Sequence, residues 1–166
     1  MPDSRIKDLQ EHLFGAQAQV AKAVEGLSEA EAHQVPEPEE WTIAQLLAHI
    51  AEIQAFWTAK AILITQEDDP NITRTAVEND IREAAVTGQA HDSMADLLPR
   101  CREANESAIR LIGGIDPAHL ERPGHRGEDN PITVQVVIRY LIAHVEEHVR
   151  QIAESRRLIR NLVQEK

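Results

Sequence analysis

From Thr133 to Val163 the chain runs without a glycine or a proline, and its apolar residues return every third or fourth position. Val134, Val137, Leu141, Val145, Ile152, Ile159 and Leu162 mark one face of a helix. At 1.5 Å per residue that helix is about 45 Å long. Thr133 is placed to cap it, with Ile132 and Val137 as a hydrophobic staple. An apolar stripe of this length has to be covered by other elements. Its far end is expected to project or to pack on a partner.

Three further stretches have the same periodicity. Residues 4–26 carry Ile6, Leu9, Leu13, Ala16, Val20 and Val24, with Ser4 as the N-cap. "SEAE" from Ser28 has the form of a capping box for a short turn, before Pro36 and Pro38 break the chain. In "EWTIAQLLAHI", Thr42 and Gln45 form another box, and Trp41 and Leu46 stand where a staple pairs them. The stripe Ile43, Leu46, Ile50, Ile53, Trp57, Ile64 predicts a helix of about 23 residues ending before "EDDP". A third box, Ser93 with Asp96, leads into Met94, Leu97, Cys101, Ala104, Ala108 and Leu111; Pro99 inside it predicts a kink or a later start, and "GGIDP" stops it. Residues 67–92 read as long and mostly irregular, with one short helix over "AVENDIREAAV" before Gly88. "ERPGHRGEDNP" reads as a polar loop. The expectation is an all-α four-helix bundle, one domain over residues 1–166, with no strand and a long irregular segment between helices two and three.

Seventeen Lys and Arg against 28 Asp and Glu leave a formal charge of −11. That sign argues against nucleic acid and anionic membrane surfaces as partners. The basic "SRRLIR" is read as complementing the dipole of the last helix. No window approaches the roughly 18 to 20 unbroken apolar residues of a membrane span, and "MPDSRIKDLQEHL" has no apolar core of a secretory signal. The lone cysteine, Cys101, cannot form an internal disulfide, which fits a reducing cytoplasm; it is read as a small core residue.

Of eight histidines, His12, His33, His91, His119 and His125 fall on polar faces, in loops or at helix ends, and are read as solvated. His144 and His148 are one turn apart on one face of the last helix and border its apolar stripe. His49 lies three residues after Leu46 and four before Ile53, and also points inward. Imidazoles at i, i+4 both reach one cation at about 2.0–2.1 Å. Three such ligands leave coordination positions open, as substrate-binding sites do. "HVEEH" also has the HxxEH form of an inverted zincin. That reading is rejected, because only 18 residues follow His148, too few for the further acidic ligand, and Glu147 is rotated by about 100° from His148. Glu146 and Glu147 are left as solvated. A di-iron carboxylate site is rejected as well, since neither histidine-bearing helix contains Glu-x-x-His.

"EEWTIAQLLAHIAEIQAFW" (39–57) and "VIRYLIAHVEEHVRQIAESRRLI" (137–159) resemble the DinB-like (DinB/YfiT) superfamily of metal-binding bundles. In that family a Trp-Ser/Thr pair opens the second helix, one histidine follows on it, and H-x-x-x-H lies on the last. Trp41, Thr42, His49, His144 and His148 match in order and spacing. The resemblance implies a three-histidine site for one divalent metal (Ni, Zn, Mn or Fe) in a homodimer. Some relatives transfer low-molecular-weight thiols to electrophiles, so it also implies a small-molecule substrate and a thiol cosubstrate. Loops 67–92 and 116–131 match no subfamily signature. A metal-dependent thiol S-transferase is the leading expectation; a metal-dependent hydrolase and a non-catalytic metal- or ligand-binding bundle are the alternatives.

Overall fold

The computed structural model describes residues 4–164. Each of the four apolar stripes becomes a long helix: α1 (Ser4–Ala23), α3 (Ile43–Gln66), α5 (Met94–Gly113) and α6 (Val134–Gln164). Two shorter helices, α2 (Glu29–Ala32) and α4 (Ala76–Thr87), lie in the connections.

Helix starts follow their local chemistry. Thr42 Oγ1 accepts from Gln45 N at 3.1 Å while Gln45 Oε1 accepts from Thr42 N at 2.9 Å, so two orphan donors of α3 are satisfied reciprocally. Ser28 and Glu31 do the same for α2. Thr75 and Glu78 form a further box at the start of α4, one that the sequence reading did not single out. The box expected at α5 does not form. Ser93 Oγ donates to the Asp96 carboxylate at 2.9 Å, and Glu29 Oε1, from α2, accepts from Met94 N at 2.9 Å instead. Nor does α5 start late: Pro99 sits inside it. Ser4 is already helical rather than a cap preceding the helix.

α1 packs on α5 and α6, and α3 packs on the same two helices. Around the bundle the order is therefore α1, α5, α3, α6. Helices consecutive along the chain, α1 with α3 and α5 with α6, stand on opposite diagonals. Residues 24–42 and 114–133 are long because each has to cross the end of the bundle. α4 covers the outer side of α3.

The interior is a continuous apolar cluster, with Leu13, Ile43, Leu47, Ile50, Ile53, Ile64, Leu97, Ile112, Ile138 and Leu141 fully buried. α3 is enclosed on so many sides that its composition reaches the range of a membrane helix, although 67% of its most apolar window is buried inside the bundle. A polar chain threads this core. Asn105 Nδ2 donates to Gln54 Oε1 (2.8 Å) and Leu13 O (3.0 Å), Gln54 Nε2 donates to Cys101 O (3.2 Å), and Cys101 Sγ donates to Leu47 O (3.1 Å). Every member is paired, so the network ties α1, α3 and α5 in one register. Cys101 is fully buried, as expected of a small core residue.

Two expectations fail at the bundle ends. "ERPGHRGEDNP" is not all loop: Pro123–His125 (β1) and Pro131–Thr133 (β2) pair antiparallel, with Gly124 opposite Ile132. Three-residue strands that each contain a proline have no readable alternation, and this ribbon is held from outside itself. Ile72 N donates to His125 O at 2.8 Å and His125 N to Pro70 O at 3.0 Å. Arg156 of "SRRLIR" does not serve its own helix. Its guanidinium donates to Ala23 O (2.9 Å) and Glu25 O (2.7 Å), capping the carbonyl end of α1, its neighbour in the bundle.

Candidate metal centre

His49 on α3 meets His144 and His148 on the adjacent α6. Ring centroids are 4.9 Å (His49–His148), 5.7 Å (His49–His144) and 4.7 Å (His144–His148) apart. One ring nitrogen from each lies within 4.8 Å of the others. Small side-chain adjustments bring such a set to the roughly 2.0–2.1 Å at which imidazole binds a divalent cation. No fourth His, Cys, Asp or Glu joins the cluster among the described residues.

The polar accounting fits a cation. His148 Nδ1 lies 2.7 Å from Gln151 Oε1, which makes Nδ1 the protonated nitrogen and leaves the Nε2 lone pair free. Among the described residues that buried Nε2 has no hydrogen-bond partner, and the same holds for Nδ1 of His144 and Nδ1 of His49. A buried unpaired nitrogen costs free energy, and a bound cation removes that cost. His49 Nδ1 lies 3.3 Å from Glu52 Oε2, a close contact on the side of the ring away from its Nε2.

The Glu52 side chain is largely covered and is held by Arg74 through Nη1–Oε1 (2.6 Å) and Nη2–Oε2 (3.1 Å). The Arg74 guanidinium rests 3.7 Å from the centroid of the Phe56 ring. Burial alone would raise the Glu52 carboxyl, but His49 and Arg74 outweigh it and hold it below the usual carboxylate range. Burial pushes His144 down to about 4, with the nearby His148, His49 and Arg74 adding to the effect. His148 is lowered by burial too, against the opposing pull of Gln151. Both rings are therefore neutral near pH 7, the state in which imidazole can donate a lone pair to a metal.

The cluster forms the floor of an open pocket of about 520 Å³. Trp41, Leu46, Trp57 and Tyr140 give it apolar surface, and the exposed Arg82, Arg126, Glu39 and Glu40 line it as well. Trp41 meets His49 edge-on at 5.2 Å, and Tyr140 meets His144 at 5.7 Å. Glu146 and Glu147 do not line it. The other histidines serve elsewhere: His33 bonds Glu29 O and Asp92 O, and His125 faces Asp69.

The three histidines singled out by sequence come together here. Glu52, Gln151, Arg74 and Arg126 were not singled out. A signal for the first two is present: each is three residues after its histidine, in "HIAE" and "HVRQ", on the same helical face. The arginines come from loops whose folding depends on distant partners.

YfiT from Bacillus subtilis, described as a probable metal-dependent hydrolase with an unusual four-helix bundle topology, superposes with a TM-score of 0.75 at 18% identity, covering 95% of this chain and 89% of its own. A conserved protein of Enterococcus faecalis superposes with a TM-score of 0.70 at 15% identity, covering 93% of this chain and 96% of its own. No curated protein matches the chain. At such identities the likeness is one of fold. The sequence profile of the DinB superfamily matches residues 12–152, which carry His49, His144 and His148 together, and the chain belongs to that superfamily.

Proposed function

We propose that this chain is a metal-dependent enzyme acting on a small molecule, with His49, His144 and His148 holding one divalent cation. The observation that carries this reading is the buried, partnerless Nε2 of His148 beside two further imidazoles at the floor of an open pocket. A divalent cation in such a site supplies Lewis acidity and lowers the pKa of a water or thiol beside it. Glu52 and Gln151 orient the rings of His49 and His148. Trp41, Trp57 and Tyr140 limit water access and give a substrate an apolar bed. The open pocket and the absence of a fourth ligand among the described residues favour turnover over a closed binding site. Ni, Zn, Mn and Fe all suit three imidazoles.

Hydrolysis is the reaction we favour, by analogy with the description of YfiT. Transfer of a low-molecular-weight thiol is the second reading. Burial pushes the thiol of Cys101, the sole cysteine, up to about 12, so a thiol nucleophile has to come from solution. We also infer a cytoplasmic homodimer using α6, where Val136, Leu162 and Val163 are exposed.

Metal analysis of protein purified without an affinity tag tests the site: one equivalent per chain is expected, lost when all three histidines become alanine. Uptake unchanged by that replacement would overturn it. Turnover of an ester and amide panel supports hydrolysis; turnover only with thiol plus electrophile supports transfer. Light scattering giving 18.6 kDa at micromolar concentration would overturn the dimer.

A further inference from the structure

Arg82 and Arg126 both line the pocket. Arg82 belongs to α4, and Arg126 to the turn between β1 and β2. Each is backed by an aromatic ring that in turn touches a histidine. The Arg82 Cζ lies 5.7 Å from the Trp41 centroid, and Trp41 meets His49. The Arg126 Cζ lies 5.2 Å from the Trp57 centroid and 5.6 Å from that of Tyr140, and Tyr140 meets His144.

Among the described residues no carboxylate lies within ion-pair distance of either guanidinium, unlike Arg74, whose charge is taken up by Glu52. An acidic protein has many carboxylates with which to neutralise a cation, and here two cations line the same cavity with no ion-pair partner among the described residues. Stacking on a ring holds a guanidinium in place and leaves its N–H edge free for a planar anion. The turn carrying Arg126 is fixed as well: Arg126 N donates to Asn130 O at 2.9 Å, and Gly127 N to Thr73 Oγ1 at 3.0 Å. The acidic groups lining the pocket are Glu39 and Glu40, both exposed. The chain's net charge of −11 is spread over the whole surface and is screened beyond about 8–10 Å at physiological salt.

We propose that the pocket selects a small organic anion: a carboxylate gripped by Arg82 and Arg126, with its apolar body lying between Trp41, Trp57 and Tyr140. The proposal rests on the reading of this pocket as the substrate site. It makes the two arginines specificity-determining residues, and makes Arg82→Gln or Arg126→Gln lower affinity for anions while leaving neutral analogues alone.

The test is calorimetric titration of the full chain, metal-loaded and metal-free, with benzoate and with its neutral isostere benzamide. Benzoate is expected to bind at least about tenfold more tightly, a difference of about 1.4 kcal/mol. Each arginine variant is expected to reduce that preference about threefold, and the double variant to abolish it, with benzamide affinity and metal content unchanged. Equal binding of the two probes by the parent protein overturns the proposal. So does a preference that survives in the double variant, which would assign the carboxylate to the metal alone. Protein that takes up no metal yet keeps an arginine-dependent preference rejects the metal reading and sustains this one. One equivalent of metal with no preference does the reverse. Both side chains are exposed, so the variants keep the core intact; circular dichroism checks this.

Discussion

His148 is hydrogen-bonded to Gln151, three residues ahead on its helix, and His49 has the Glu52 carboxylate at the same offset, 3.3 Å from its Nδ1 but without hydrogen-bond geometry; Glu147, at that offset from His144, gives its Nδ1 no hydrogen bond. Glu52 therefore does most to fix the α3 side of the site, and it is also the acceptor for Arg74. Glu52→Gln removes the charge and keeps the shape. It is expected to weaken metal affinity by about 10- to 100-fold, read by competition with a chromophoric chelator; affinity equal to the parent's would exclude an orienting role. Cys101 offers a second test. Its thiol is raised by burial to about 12, whereas an unfolded cysteine ionises near about 8.5. Stability held by the neutral buried thiol is thus complete below pH about 8.5 and lost as pH rises through about 12. Urea midpoints should fall more steeply above pH 9 in the parent than in Cys101→Ala, and a thiol reagent at pH 8 should label the folded chain only as fast as it opens. His144 and His148 were legible as a pair because helical periodicity places i and i+4 together, and His49 joined them through its place on the inward face of its helix and through the family resemblance. Arg74 and Arg126 were not, because nothing local directs a loop arginine to its target.

Helices were readable wherever a cap and a stripe coincided. Thr42 with Gln45 marked the start of α3, and the uninterrupted run after Thr133 marked α6. The β1–β2 ribbon carried no such mark. The ribbon exists because the α3–α4 connection pairs with β1 at His125 and because Gly124 lets the backbone come close to α3. A Cβ built there would stand 2.9 Å from Ile64 Cγ1 and 3.1 Å from Pro70 O. Gly124→Val should therefore lift the ribbon off α3 and cost about 1–3 kcal/mol of stability in urea unfolding. A variant as stable as the parent would mean that the contact yields without cost. At α5 the expected box is missing because the Ser93 hydroxyl donates to the Asp96 carboxylate, and a different donor of the first turn, Met94 N, is taken by Glu29, 65 residues away.

For the whole molecule, the bundle class followed from four amphipathic stripes, but periodicity does not tell one helix which neighbour it will meet. That α1 stands diagonal to α3, and α5 to α6, is decided by packing across the complete core. The site inherits this dependence, since its ligands come from two helices more than half the chain apart. Free metal at 100 times its dissociation constant is expected to add about 2.7 kcal/mol to the unfolding free energy, an increment absent in the triple alanine variant; equal urea midpoints with and without metal would contradict binding to the native state. The diagonal layout also bears on how the chain reaches that state. Of the sequence-adjacent long helices, only α3 and α5 can dock as a local hairpin, so closure by α6 waits on a contact of high sequence separation, the kind that slows folding. Capture of metal by the refolding chain then times the arrival of α6 against α3, and no fragment lacking either helix can assemble the triad.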